Sequence, residues 1–360
     1  MLTPTRLVLA RKMRRMTLAR LAEMSGISSR SITAYENGSK VPTPATLQIL
    51  AEALSVPTGF LTAPDAENIP TEAISFRALS KMSASERESA RSVSDICIEI
   101  NAWLEDRFNL PQPSLPTLPR VPPEEAAFRV RSAWGLGEAP IPNMIHLLES
   151  KGIRVFSLPA NCESVDAFSF SSSSGAKFVV LSQKKSSERS RFDAAHELGH
   201  LIMHSEHRIP SGPNAEQEAN RFASAFLMPR SGILAQMLRN ADSERIIRAK
   251  KKWGVSALAL AYRLKDLELA SEWSYRSSVK RLSQLGYRSA EPGGIPRETS
   301  QLLQKVMSAL RQEGIRLGEM AEDVNLHETE IHKYFFGLVP LPVQGSGEST
   351  SSKRDHLRLV

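Results

Sequence analysis

Residues 191–204 read Arg-Phe-Asp-Ala-Ala-His-Glu-Leu-Gly-His-Leu-Ile-Met-His, and the rest of the chain is best understood outward from this stretch. His196 and His200 stand four apart, so on an α-helix their imidazoles share one face and can pinch a single ion. Glu197 follows the first histidine directly, where its carboxylate can reach a metal-bound water and accept its proton. A bare string of this kind arises by composition in roughly one chain in a hundred of this size, so its surroundings carry the argument. Phe192, Ala195, Leu198, Leu201, Ile202 and Met203 make the remaining sides of the helix apolar. A buried helix with paired histidines and a carboxylate needs compensation, which a metal supplies.

Catalytic zinc sites use three protein ligands and keep one position open. After Pro210 and Pro213, Glu216 begins a helical pattern with Ala219, Asn220, Ala223 and Leu227 on one face, and the alanines allow close approach to the first helix. Glu216 is therefore the expected third ligand. Its rival, Glu218, sits two positions along and is predicted to point about 200° away. His204, a further turn beyond His200, is a fourth ligand, an oxyanion donor or a packing histidine. Asp193, one turn before His196, is either an orienting carboxylate or a solvated surface group. No residue identifies itself as the oxyanion stabiliser.

Working outward, the pattern is mainly α with a small β-sheet. Segments 153–158, 165–170 and 177–182 are short, β-branched and aromatic, and 171–175 supplies a turn, so a small sheet with a hairpin is predicted. Segment 177–182 is expected at the sheet edge, where strand addition can align an extended peptide. Residues 124–152 read as helical, and helical periodicity runs from Arg189 to about Phe336, broken near Pro210, Pro229 and 291–296. Upstream, 83–108 has the spacing of one amphipathic helix with Val93, Ile96, Ile100, Trp103 and Leu104 on one side. Six prolines between Pro111 and Pro123 forbid helix and give an extended strap. Residues 64–73 read as a polar linker, and the Gly/Ser-rich tail from Pro340 is expected to be disordered.

The N-terminal segment has a different pattern. A first helix from about Pro4 to Met16 is followed by Thr17, which can cap a second helix ended by Gly26, and by Ser28, which can cap a third. Leu18, Leu21, Ala22, Ile27, Ile32 and Tyr35 form the inner seam of a helix-turn-helix, and a fourth helix starting at Thr43-Pro44 closes the core. The third helix is expected in a DNA major groove with Ser28, Ser29, Arg30 and Thr33 toward the bases, Arg30 being long enough for a bidentate guanine contact. Arg14, Arg15 and Lys40 suit phosphates. The plainer alternative is a protein-docking module with a solvated basic face.

Charge agrees with DNA. Residues 1–63 hold eight Lys/Arg against Glu23, Glu36 and Glu52, while the remaining residues hold 38 basic against 36 acidic groups. A compact basic segment favours a polyanion partner. An internal repeat also exists: Leu18, Leu21, Ala22, Ile27, Ile32, Tyr35 and Gly38 recur as Leu317, Met320, Ala321, Leu326, Ile331, Tyr334 and Gly337. The second copy carries His327-Glu328-Thr329-Glu330 where the first has Ser28-Ser29-Arg30-Ser31, and carboxylates repel phosphate, so it reads as structural or protein-binding.

Thr17 to Gly38, with Ala22, Gly26, Ile27, Ser28, Ile32, Glu36, Asn37 and Gly38, resembles the lambda-repressor-like (XRE) helix-turn-helix family. That family often has Gln just after the cap of its second helix; Leu18 stands there instead, which implies a modest DNA affinity for the segment alone. His196-Glu197-Leu198-Gly199-His200 followed by Glu216-Gln217-Glu218-Ala219-Asn220-Arg221-Phe222-Ala223 and Leu227-Met228-Pro229 resembles the ImmA/IrrE metallopeptidases, with likeness over about residues 74–340 that includes Trp253-Gly254-Val255-Ser256. The resemblance implies a gluzincin-like zinc peptidase that cleaves repressor proteins. Carried over by position, it makes His196, His200 and Glu216 the Zn2+ ligands and Glu197 the catalytic base.

The expected organisation is an all-α helix-turn-helix domain at 1–63, a linker, amphipathic helix and Pro-rich strap at 64–123, an α+β metallopeptidase domain at 124–240, a helical C-terminal region with a degenerate helix-turn-helix-like pair at 241–339, and a tail at 340–360. The expected function is a transcriptional regulator that binds double-stranded DNA and carries a zinc endopeptidase acting on a repressor protein or on itself. The competing expectation is a DNA-binding repressor whose zinc domain senses a ligand or serves as a scaffold without turnover. Readers of this type are usually dimers, so a homodimer is allowed for. The N-terminal apolar stretch is too short for a signal-peptide core, which needs about 7 to 15 apolar residues, and no membrane span is readable, so a cytoplasmic location is expected. Cys97 and Cys162 stand far apart without a CxxC pair and read as packing residues rather than a disulfide or zinc site.

Overall fold

The computed structural model describes residues 1–67, 69, 74–76, 83–162, 165–204, 213–335, 337–339 and 357–358. Five helices open the chain: α1 (Pro4–Met13), α2 (Leu18–Ser25), α3 (Ser29–Glu36), α4 (Pro44–Leu54) and α5 (Thr58–Thr62). Each of α2, α3 and α4 begins on a hydroxyl that accepts a backbone N–H, from Thr17, Ser28 and Thr43 in turn. Such a cap is worth about 1 kcal/mol over alanine. Leu7, Leu21, Ile32, Leu50, Leu54 and Phe60 are wholly buried between the helices. The first helix ends three residues before the expected Met16, because Arg15 takes a left-handed backbone (φ 54).

After β1 (Ser75–Phe76) comes α6 (Ala84–Glu105), then β2 (Phe108–Asn109). The sequence places α6 in a linker with one apolar side; the structure corrects this. Ser89, Ser92, Ser94, Asp95 and Asn101 are buried together with Val93, Ile96, Ile100 and Leu104, so the helix is enclosed around most of its girth. Small polar residues disguised that burial as a solvent face. α1 packs along α6, with ion pairs from Arg6 to Glu99 (2.5 Å) and from Lys12 to Glu88.

The strap leads into α7 (Pro123–Ala133), α8 (Met144–Ser150) and the sheet strands β3 (Ile153–Ser157), β4 (Ala167–Ser171) and β5 (Lys177–Leu181). The sheet order is β1-β4-β5-β3, with β4 and β5 an antiparallel hairpin and β3 parallel to β5. Thus β5 is an internal strand, against the expected edge. Its unbroken apolar run, buried on both faces, is the mark of a central strand. Alternation gives the sheet two characters. One face carries Phe156, Phe168, Phe170 and Phe178, with Phe170 stacked on Phe178 at 4.6 Å. The other, smaller face includes Ala167 and Ser169, and against it lies α9 (Ser187–Met203).

The remainder is helical: α10 (Pro213–Leu227), α11 (Arg230–Leu234), α12 (Ser243–Trp253), α13 (Ala257–Asp266), α14 (Glu272–Gln284), α15 (Gln301–Gln312), α16 (Leu317–Asp323) and α17 (Glu328–Phe335). Helix α17 returns to the aromatic face, where Phe335 stacks on Phe156 at 6.2 Å. The repeat seen in sequence is a repeat in backbone. Left-handed residues at Arg15, Gly26 and Gly38 recur at Gly314, Asn325 and Gly337. Leu21, Ile32 and Tyr35 are buried like their counterparts Met320, Ile331 and Tyr334.

Both cysteines are free and buried. Of the tail, only β6 (Leu357–Arg358) is described, paired in parallel with β2. The rest of 340–360, like residues 68 and 70–73 of the expected linker, lies outside the described residues. Among the described residues no helix is long and apolar enough to cross a membrane.

Candidate metal centre and nucleic-acid interface

The geometry of the centre follows from how α9 and α10 meet. At Gly199 a methyl group would stand 3.0 Å from Phe222 Cδ1 and 3.3 Å from Ala219 Cα, so any side chain there would press the two helices a few tenths of an ångström apart or displace Phe222. Their close approach carries Glu216, in the first turn of α10, to the paired histidines of α9. His196 Nε2 and His200 Nε2 are 3.0 Å apart, and Glu216 oxygens lie 3.5 Å and 3.3 Å from them. All three ligand atoms fall within 4.8 Å of one another.

The donor chemistry fits a cation. Asn220 Oδ1 lies 3.1 Å from His196 Nδ1 and can only accept, so Nδ1 carries the proton and Nε2 presents a lone pair. Two imidazole lone pairs and a carboxylate then converge on one point, an arrangement that repels itself unless a positive charge sits among them. Separations of 3.0 to 3.5 Å also bracket the edge of about 3.3 Å of a tetrahedron with zinc–nitrogen arms near 2.0–2.1 Å. With no cation present, imidazoles protonated on Nε2 would outweigh the burial that raises the Glu216 carboxyl and draw it down to about 2; with their lone pairs turned inward, a cation takes over that part.

Glu197 is fully buried, and its Oε2 accepts a hydrogen bond from Ser169 Oγ of β4 at 2.8 Å. It follows His196 directly on α9, on the helix that lies against the sheet. Ser169 and Asn220 are the two site neighbours that sequence reasoning missed. Asn220 could have been found, since it stands four residues after Glu216 on the same helix face. Ser169 contacts Glu197 across the sheet and offered no periodic signal.

His204 is neither of the two active roles weighed for it. Its Nδ1 is 2.9 Å from His200 Nδ1 and its Nε2 is 3.0 Å from Glu218 Oε2, so both ring nitrogens are engaged on the side of His200 away from His196. Burial holds its imidazole below the ordinary range, against the opposing pull of Glu218. Glu218 is also not turned away from α9 as its spacing predicted; it meets that helix one turn beyond the triad. Asp193 is buried rather than solvated and pairs with Lys185 at 2.9 Å.

On the helix-turn-helix, Ser28, Ser29, Arg30 and Thr33 are exposed at the start of α3. The Ser28 oxygen caps the helix, and the Thr33 hydroxyl donates to the Ser29 carbonyl at 2.9 Å. Lys40 is exposed with its ammonium 5.9 Å from the Tyr35 ring centre, and Arg15 is exposed 3.6 Å from Glu86. Arg14 departs from its expected place among the phosphate contacts. Its guanidinium donates to the Leu54 and Ser55 carbonyls at 2.9 Å each and pairs with Glu330 of α17 at 3.0 Å. A positive residue beside a helix-turn-helix is here consumed by an internal partner.

Fold and site together define a helix-turn-helix module joined to a metallopeptidase-like domain. Residues 7–61 match the helix-turn-helix family model, and residues 148–265, from the end of α8 through α13, match the model of the IrrE N-terminal-like domain. The chain thus has the fused architecture of an XRE-type helix-turn-helix and an ImmA/IrrE metallopeptidase domain. Comparison with the curated proteins finds no match.

Proposed function

We propose that this protein is a DNA-binding transcriptional regulator whose second domain is a zinc-dependent endopeptidase, cleaving a repressor protein or a second copy of itself to switch gene expression. The observation that carries the reading is the convergence of His196, His200 and Glu216, with the buried Glu197 next to His196 in the chain. A zinc ion held there supplies Lewis acidity, making water acidic near neutral pH and polarising the scissile carbonyl. The Glu197 carboxylate, oriented by Ser169, takes the proton from the attacking water and passes it to the departing amine. Asn220 holds His196 in the tautomer that leaves Nε2 free. On the other module, Arg30 reads a base edge while Arg15 and Lys40 meet phosphates, and Arg14 is withdrawn from that set.

A purified Glu197→Gln variant is expected to keep its zinc and its DNA binding and to lose proteolysis, both of added repressors and of a second copy of the chain. Adding wild-type protein to the inactive variant separates the two substrates, since only self-directed cleavage shortens the variant. Undiminished cleavage by Glu197→Gln removes that carboxylate from the reaction. A wild-type protein that loses thermal stability on chelation yet cleaves nothing supports the scaffold reading instead.

A further inference from the structure

We propose that His204 and Glu218 form a positioning pair that fixes His200 as a metal ligand and passes carboxylate charge to it through a second imidazole. The proposal rests on the reading that His196, His200 and Glu216 hold zinc, and it concerns the opposite edge of His200, where the resemblance assigns no role.

The protons along this chain are determined by its acceptors. Glu218 Oε2, 3.0 Å from His204 Nε2, accepts, so Nε2 of His204 carries a proton. In the neutral ring Nδ1 then holds a lone pair, and 2.9 Å away His200 Nδ1 must be the donor. His200 is left with its Nε2 lone pair directed at His196 Nε2 and Glu216. A carboxylate, two imidazoles and the ligand atom thus form one hydrogen-bonded line. The two imidazoles are sheltered, the side chains of His200 and His204 being 4% and 6% exposed, while Glu218 at the outer end is 34% exposed.

The two histidine ligands consequently differ. His196 leans on the neutral amide of Asn220, whereas His200 leans on a charge-backed imidazole. A hydrogen bond to a charged partner raises ligand basicity more than one to a neutral amide, and removing partners of this kind typically weakens metal binding about 10- to 100-fold. His204 caps the C-terminus of α9 four residues past His200, and Glu218 lies two residues past Glu216 on α10, so one helix pairing builds both the ligand set and its support.

The test is Zn2+ affinity of the full chain, measured by competition with a chromophoric chelator, with Co2+ absorption as a report on the ligand field. Glu218→Gln keeps an acceptor and removes the charge; His204→Phe keeps the ring and removes both nitrogens. Glu218→Gln is expected to weaken zinc binding about tenfold and His204→Phe by up to about 100-fold, both shifting the Co2+ bands, while the exposed Gln217→Ala leaves both readouts unchanged. Apoprotein melting curves that coincide with wild type show that the variants fold. Tight wild-type binding with both variants within twofold of it overturns this proposal alone. A wild-type chain that takes up no Zn2+ overturns the metal reading and this proposal with it.

Discussion

Glu197 and Glu216 are the same residue type set to different tasks by their neighbours. Glu216 faces the Nε2 atoms of two imidazoles at 3.3 and 3.5 Å, while Glu197 sits fully buried under a serine hydroxyl. Glu216 reaches the histidines across the close approach of α9 and α10 at Gly199. Gly199→Val is expected to force α9 and α10 apart, lowering stability by about 1–3 kcal/mol in a denaturant titration and weakening zinc retention in parallel. A variant as stable as wild type would show that the close approach is not required. At this scale the sequence was informative wherever two residues share a helix face: His196 with His200, and Glu216 ahead of the small residues of α10. It was silent where a contact crosses from strand to helix, as from Ser169 to Glu197, because no spacing encodes it. Charge alone misled at Arg14, since a cation next to a basic surface looks the same in sequence whether it faces solvent or Glu330.

The element that most changes the picture is α17, the counterpart of the reading helix α3. Its carboxylate Glu330 is 5% exposed, and it binds Arg14 of the first helix-turn-helix as well as Lys333 at 2.8 Å. Nearby, a side chain at Gly59 of α5 would run into Asn325, the left-handed residue of the second copy's turn. The degenerate copy thus serves as a seat for the intact one. Arg14→Ala is expected to cost about 1–3 kcal/mol of stability, between a surface and a buried ion pair, with no change in the salt dependence of DNA binding. Arg30→Ala should behave in the opposite way, leaving stability within about 0.5 kcal/mol and weakening binding to a specific site by about 1–3 kcal/mol. A gel-shift salt series that falls in slope for Arg14→Ala would return that residue to the phosphate set. The repeat itself was legible from its constant spacing, and so were the caps at Thr17, Ser28 and Thr43. The central place of β5 and the enclosure of α6 were not, because each depends on which distant elements pack against it, and no spacing within the segment encodes that.

Taken as a whole, the molecule is organised around α6, which touches the N-terminal helix-turn-helix module through Arg6 and Glu99, the sheet through Asn101 and Arg154, and the C-terminal copy through Trp103 and Asp323. Its midpoint holds Asp95, whose carboxyl burial pushes up to about 7, with Arg91 pulling the other way and Glu99 adding to the rise. A folded-state value above the unfolded value near 3.9 means the native chain holds the extra proton between those limits, so this group's contribution to stability falls as pH climbs from about 4 to 7. Asp95→Asn is expected to gain on wild type by roughly 2–4 kcal/mol between pH 4.5 and pH 8 in parallel chemical denaturations, and a constant difference would contradict the assignment. The joining of a DNA-reading module to a metal centre stands above all on the three donors brought together by α9 and α10. Metal analysis of the purified chain beside Glu216→Ala tests that most directly: the account predicts a single zinc per wild-type chain that is lost in the variant, and equal metal in the two proteins would contradict it.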